Sequence, residues 1–145
     1  MVMKELIACI VLSMCYNLYG QVNDTIKIKE AALNYVEGFY NSDTARIASA
    51  VHPDLAKRIV AKDSTGYFLV NMTAKQLISA SKKYKKSYAH NQDEPFKGEV
   101  IIYDIYRNIA MAKIVTNKFQ FIDYIQLGKI GDDWKIINVL WTYTK

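Results

Sequence analysis

The last quarter of the chain constrains the fold more than any other segment. Two strand-like runs, Phe119–Ile130 and Trp134–Tyr143, flank the turn residues Gly131–Asp133. Both runs are rich in Ile, Val, Phe and Tyr, which favour strands, and glycine with aspartate is typical of a hairpin turn. The segment therefore predicts a long antiparallel β-hairpin, and the rest of the chain must cover one of its faces.

Three segments before this hairpin have helical signals. Apolar residues recur at helical spacing over residues 24–40, and Asp24 is a suitable N-cap for that helix. Asp43 is a suitable cap for a second, shorter helix, and Thr73 with Gln76 forms a capping box for a third. We therefore predict three helices before the strand-like runs of the C-terminal part.

Further strand-like runs complete the pattern. Leu55–Val60 and Tyr67–Val70 suggest a small hairpin, while Val100–Tyr106 and Ile109–Thr116 precede the terminal one. Helices followed by antiparallel strands predict an α+β architecture in which the helices cover one face of the sheet. Residues 21–145 form one domain in this interpretation.

The N-terminus resembles a secretory signal peptide. Lys4 precedes the apolar run Leu6–Leu12, and the small residue Gly20 offers a cleavage site. The run is too short for a transmembrane segment, which needs about 20 apolar residues. We expect residues 1–20 to be removed and the protein to be secreted or periplasmic, the alternative being a buried first helix. A lipoprotein with its lipid on Cys15 is a further alternative, although Met14 is bulky for that motif.

Cleavage after Gly20 would leave 125 residues (145 − 20) without cysteine, because Cys9 and Cys15 both lie in the leader. A disulfide framework and a thiol nucleophile are then excluded. The two histidines, His52 and His90, lie far apart, and no phosphate-binding or metal-binding motif is present. We expect neither a metal site nor a cofactor.

The net charge of +5 does not by itself indicate nucleic acid. The densest basic cluster, Ser81–Lys86, falls on the predicted third helix. Its lysines point away from the apolar stripe of that helix, which is the pattern of a solvated face. We therefore predict no nucleic-acid partner.

Four segments together resemble a known family. Asn34–Tyr40, His52–Arg58, Met72–Ala74, and Asp123–Tyr124 followed by Asp133–Trp141 are similar to the putative lumazine-binding family, within the nuclear transport factor 2-like superfamily. The resemblance implies a cone-shaped, cystatin-like α+β fold with a curved antiparallel sheet and three covering helices. Superfamily members include ketosteroid isomerase, scytalone dehydratase and polyketide cyclases, as well as non-catalytic binding and dimerisation modules, so the fold does not select a function.

Asp123 is the most suggestive polar residue. Strand alternation places it on the same face as the apolar Phe121 and Ile125. If Gly131–Asp133 is a three-residue turn, Ile130 lies opposite Trp134, and Asp123 lies opposite Trp141. Apolar surroundings would raise the pKa of Asp123, as a general base requires. The alternatives are that Asp123 faces water, or that it pairs with one of the cations of the predicted small hairpin, Lys57 or Arg58.

Other residues are candidates for ligand contact. His52, close to the end of the second helix, is a candidate proton carrier or ligand donor, the alternative being a capping or packed histidine. Aromatic walls with few polar groups suit a flat organic ligand. The predicted ligand-binding set is Tyr35, Phe39, His52, Leu55, Tyr103, Asp123 and Trp141, although the apolar members also fit an ordinary core.

Three functional hypotheses follow from these residues. The first is a secreted domain that binds a small organic or aromatic molecule between the helices and the sheet. The second is a cofactor-independent isomerase, dehydratase or cyclase, with Asp123 as general base, His52 as a catalytic candidate, and a tyrosine or histidine stabilising the oxyanion. The third is a non-catalytic module that forms a homodimer through the outer face of the sheet.

Overall fold

A computed structural model describes the backbone of residues 2–84 and 86–144, and the side chains from Val22 onward within these ranges. The helices are α1 (Val2–Asn41), α2 (Thr44–Ala50) and α3 (Ala74–Lys83), with a short 3₁₀ turn at Lys86–Tyr88. The strands are β1 (Val51–Asp63), β2 (Gly66–Thr73), β3 (Gly98–Tyr106), β4 (Ile109–Thr116), β5 (Phe121–Ile130) and β6 (Asp133–Tyr143). The side chains of the predicted leader, residues 1–20, lie outside the described part. Cleavage and lipid attachment therefore stay predictions.

The strands form one sheet in the order β2-β1-β6-β5-β4-β3. Neighbouring strands are antiparallel except β1 and β6, which are parallel. The α+β architecture is therefore confirmed, with one parallel contact that the sequence did not indicate. Strands β1 and β6 are distant in the chain, so no hairpin forces them to run in opposite directions.

Helix α1 packs its apolar stripe on the inner face of the sheet. Ile28, Ala32 and Tyr35 are buried there against residues of β4, β5 and β6, including Ile125 and Ile136. This spacing of three to four residues is the one that puts side chains on a single helical face. The helix thereby covers one face of the sheet and leaves the other face free.

Asp24 has a different role from the predicted one. Helix α1 continues through this position, so the N-cap prediction is wrong. The Asp24 carboxylate instead accepts hydrogen bonds from Lys129 Nζ at 2.8 Å and from Trp134 Nε1 at 2.9 Å. It ties the helix to the end of the β5–β6 hairpin.

The other two helix caps are confirmed. Asp43 caps α2, and its side chain accepts a hydrogen bond from the backbone N–H of Arg46 at 3.0 Å. Thr73 and Gln76 form the predicted capping box at the start of α3. These caps supply acceptors for backbone N–H groups that have no partner inside the helix.

The terminal hairpin has a different turn but the predicted partner for Asp123. Ile130 pairs with Asp133 across a two-residue turn, so the predicted three-residue turn is wrong. A bulge in β6 between the partners of Gln126 and Leu127 restores the register, and Asp123 lies opposite Trp141. Gly128 leaves room for the bulged side chain, because a Cβ there would lie 2.6 Å from Ile137 Cδ1.

Candidate functional site

A buried ion pair lies on the inner face of the sheet. Lys57 Nζ lies 2.7 Å from Asp123 Oδ1, and the two side chains are 7% and 1% exposed. The Tyr35 hydroxyl donates a hydrogen bond to the other carboxylate oxygen, Oδ2, at 3.1 Å. One helix and two strands thus contribute one polar side chain each to a single buried cluster.

The strand order brings these residues together. β6 lies between β1 and β5, so the backbones that carry Lys57 and Asp123 are two strand spacings apart, about 10 Å. Lys57 points inward like Leu55, two residues earlier in β1. Its long side chain crosses β6 beneath α1 and reaches the carboxylate.

The cluster forms one wall of a cavity of about 150 Å³. The other lining residues are apolar or aromatic: Val36, Phe39, Met72, Leu77, Phe119, Phe121 and Trp141. The Lys57 ammonium lies 4.8 Å from the centre of the Trp141 ring, and 5.6 Å from the rings of Tyr35 and Phe121. The site therefore combines one buried ion pair with aromatic walls, a combination that suits a small organic ligand.

Burial changes the ionisation of two members of the cluster. It lowers the pKa of Lys57, although the nearby Asp123 carboxylate opposes this shift. Burial also raises the pKa of Tyr35 well above its usual value, and the negative charge and hydrogen bond of Asp123 add to this effect. Tyr35 is therefore a neutral hydrogen-bond donor at physiological pH.

The structure brings four of the predicted site residues together. Tyr35, Phe39, Asp123 and Trp141 all line this cavity. Leu55 is buried in the adjacent hydrophobic core and is not among the lining residues.

Two predicted site residues lie elsewhere. His52 Nδ1 accepts a hydrogen bond from the backbone N–H of Asp54 at 3.2 Å, and its side chain is 30% exposed outside the cavity. Tyr103 is 51% exposed and stacks on Tyr124, with ring centres 6.2 Å apart, on the outer face of the sheet. Ile102 packs against the core, so strand alternation puts its neighbour Tyr103 on the outer face, just before the bulge that separates Ile102 from Asp104.

The polar partner of Asp123 is the one offered as an alternative, Lys57. Its neighbour Arg58 points to the opposite face, where its Nε donates to Asn71 Oδ1 at 2.9 Å. In the described structure each carboxylate oxygen of Asp123 accepts one hydrogen bond, so a role as general base uses a remaining lone pair or requires Lys57 or Tyr35 to give way.

Several lining residues were absent from the predicted set. The sequence does indicate an inward position for Lys57, because alternation in β1 puts it on the same face as Leu55. Phe119 and Phe121 also share the predicted face of Asp123 and stack with ring centres 4.8 Å apart. The sequence gives no sign that three apolar residues, Val36, Met72 and Leu77, differ from ordinary core residues. Only the packing of the helices on the sheet places them at the cavity.

Among residues 22–84 and 86–144, no cluster of three or more His, Cys, Asp or Glu side chains is placed to hold a metal ion. In the same described part of the chain, no helix combines the length and apolar character that a membrane crossing needs.

Comparison with solved structures places the fold. A nuclear transport factor 2-like protein of unknown function from Shewanella baltica is 21% identical, with a TM-score of 0.63 over 83% of this chain and 94% of that one. A similar protein from Silicibacter pomeroyi is 12% identical, with a TM-score of 0.64 over 85% and 98% of the two chains. A ketosteroid isomerase-like protein from Erwinia carotovora is 10% identical, with a TM-score of 0.58 over 83% and 95%.

The TM-scores support a shared fold, and the predicted cone-shaped α+β fold is thereby confirmed. A search of curated proteins found no match. The family model described as putative lumazine-binding matches residues 23–142, which is most of the chain. The protein therefore belongs to the putative lumazine-binding family and has the fold of nuclear transport factor 2-like proteins.

Proposed function

We propose that the protein binds a small, flat organic molecule in the cavity between α1 and the sheet. The observation that carries this proposal is the buried Lys57–Asp123 pair on one wall of an otherwise apolar, aromatic cavity. Burying two charges costs free energy that well-packed apolar residues would not cost. A functional use of the pair explains why the cavity contains it.

The size of the cavity limits the ligand. At about 150 Å³ it is smaller than the roughly 300–1,000 Å³ of pockets for drug-sized molecules. One ring or two fused rings match this space, and the rings of Phe121 and Trp141 provide faces for contact. The description of the family and the ketosteroid isomerase-like relative agree with a ligand of this kind.

Native mass spectrometry of the purified protein tests the proposal. We expect a mass in excess of the polypeptide that is lost on denaturation. The variant Val36→Phe, which adds bulk to the cavity and keeps Lys57 and Asp123 in the chain, should lose this mass, whereas the outer-face variant Tyr103→Phe should keep it. A protein that is always empty, and that binds no small ring compound when one is added, would refute the binding function.

Catalysis is a second candidate, because Asp123 is a buried carboxylate with a neutral donor beside it. In this alternative the protein is a cofactor-independent isomerase, dehydratase or cyclase. Asp123 removes a proton. Tyr35 takes the role of oxyanion donor after its hydroxyl leaves the Asp123 carboxylate, since His52 lies outside the cavity. Asp123→Asn should abolish turnover of a true substrate, and unchanged turnover would rule out the general-base role.

Homodimerisation is supported by the outer face of the sheet. Large apolar side chains are exposed there on neighbouring strands, among them Tyr103, Met111, Tyr124 and Leu140. Two depressions of about 310 and 630 Å³ also lie along this face. Exposed apolar side chains on one sheet face favour association, and pairing with a second copy would cover them. Light scattering should report a dimer, and Met111→Glu should convert it to a monomer; a monomeric unmodified protein contradicts the proposal.

Export is the remaining part of the proposed function. We expect residues 1–20 to direct secretion and cleavage to leave Gln21 as the first residue. N-terminal sequencing of protein recovered from the periplasm or medium tests this. Retention of Met1 in that fraction would contradict it, and a lipid on Cys15 would identify the lipoprotein alternative.

A further inference from the structure

Lys57 has more hydrogen-bond donors than partners. An ammonium group carries three N–H donors. Within residues 22–84 and 86–144, its Nζ donates one hydrogen bond, to Asp123 Oδ1. The remaining surroundings of this nitrogen are aromatic, with the Trp141 ring centre at 4.8 Å. Ring faces attract a cation but replace a hydrogen-bond acceptor only in part.

The other two polar groups of the cluster have no hydrogen-bond donor left. Each oxygen of Asp123 accepts a hydrogen bond, one from Lys57 and one from Tyr35. The single hydroxyl proton of Tyr35 is donated to Asp123. Lys57 is therefore the member of the cluster with donors left for a ligand.

We infer that the ligand carries an uncharged carbonyl oxygen that accepts a hydrogen bond from Lys57, while Asp123 and Tyr35 act as positioning residues that hold the ammonium. This inference rests on the proposed binding function and assigns it a chemical class: flat, uncharged ketones, lactams and related ring carbonyls. A carbonyl oxygen satisfies the spare N–H groups and brings no net charge into the cavity.

Charge counts against ionic ligands, and unsatisfied donors count against hydrocarbons. A carboxylate or phenolate on Lys57 would put a second negative charge next to Asp123, 2.7 Å from the same nitrogen, where little water screens the repulsion. An anion would also have to lose its hydration shell. A cationic ligand would be repelled by Lys57, and a pure hydrocarbon would leave its donors unsatisfied.

A matched pair of uncharged probes tests the inference. 1-Indanone and indane have the same fused-ring skeleton and differ at the carbonyl group, and benzoate serves as the anionic probe. Calorimetric titration of the wild-type protein should show 1-indanone binding about ten- to hundredfold more tightly than indane, the range for a hydrogen bond to a charged group. Benzoate should bind more weakly than 1-indanone.

The variant Lys57→Met/Asp123→Asn removes the donor and the charge together, which avoids leaving an unpaired buried carboxylate. The preference for 1-indanone over indane should fall to about twofold or less, with indane affinity little changed. Arg58→Met removes the neighbouring cation on the outer face and should keep the full preference.

A second readout needs only the wild-type protein. The infrared carbonyl band of bound ¹³C-labelled 1-indanone should lie at lower frequency than in an alkane, as expected for a carbonyl that accepts a charged hydrogen bond. An alkane-like frequency would overturn the inference, even if the double variant does not fold.

The titrations have distinguishable outcomes. Equal wild-type affinities for ketone and hydrocarbon would overturn the inference while leaving the binding function intact. Tighter binding of benzoate, or a ketone preference that survives in the double variant, would overturn it as well. If none of the probes binds, the proposed binding function fails and the inference fails with it.

Discussion

Replacing Lys57 by methionine should strongly destabilise the protein. Lys57 and Asp123 are almost completely buried, so the substitution leaves the carboxylate with Tyr35 as its remaining donor. Removing one partner of a buried ion pair costs about 3–5 kcal/mol. The methionine keeps most of the apolar contact with Trp141 but loses the cation–π attraction, about 1 kcal/mol. We expect the free energy of unfolding to fall by about 3–5 kcal/mol.

Urea unfolding followed by far-UV circular dichroism measures this change, because the linear extrapolation gives the free energy of unfolding in water. The double variant Lys57→Met/Asp123→Asn should cost less than the single one. It buries no charge, and its main penalty is the imperfectly paired asparagine amide, about 1–3 kcal/mol. The second substitution should therefore recover about 2 kcal/mol, while Arg58→Met should cost about 1 kcal/mol or less.

Two results would refute this reasoning. A cost below about 1 kcal/mol for Lys57→Met would mean that the ion pair is solvated or not formed. A double variant whose cost equals the sum of the two single variants would mean that Lys57 and Asp123 do not interact energetically.

Three further predictions concern other contacts. The pKa of Tyr35 is raised above its usual 10.0 in the folded protein, so the unfolded state loses the hydroxyl proton first and the free energy of unfolding falls as pH rises above 10.0. Tyr35→Phe should reduce this alkaline loss of stability, measured as the urea midpoint at each pH. Identical pH dependence in the wild type and the variant would contradict it. Burial acts to raise the pKa of Asp24, but hydrogen bonds from Lys129 and Trp134 lower it below 3.8 overall. Asp24→Asn should therefore lower the free energy of unfolding by about 1 kcal/mol at pH values above 3.8. The stability difference between wild type and variant should vanish as pH falls through the lowered pKa, and a difference that does not change with pH would count against the ion pair. Thr73→Ala should lower stability by about 1 kcal/mol in thermal melts through loss of the α3 cap, and an unchanged melting temperature would show that the cap is dispensable.

In the terminal hairpin, the sequence predicts the correct partner for Asp123 from an incorrect turn. The opposition of Asp123 and Trp141 was predicted, but from a three-residue turn that the chain does not have. The two-residue turn and the bulge in β6 each move the register by one position, in opposite directions, so the predicted pair results. A bulge depends on how two strands pack together, and strand alternation within one segment carries no sign of it.

The site itself was partly predictable. Local periodicity placed Tyr35 on the inner face of α1 and Asp123 on the inner face of β5. The choice of Tyr103 rests on its aromatic side chain and not on its strand face, and that side chain lies on the outer face. Periodicity also gives no position for His52 relative to the cavity.

The sequence by itself determined the α+β class, the helix caps at Asp43 and Thr73, and the buried face of β5, because these depend on residues a few positions apart. Only the tertiary structure decided that Lys57 lies against Asp123, 66 residues away, and that Tyr35 completes the cluster from α1. That outcome depends on the parallel placement of β6 beside β1, which follows from packing the whole sheet against the helices. Strand order is a property of the complete core, and for this reason the chemistry of the cavity could not be read from any single segment.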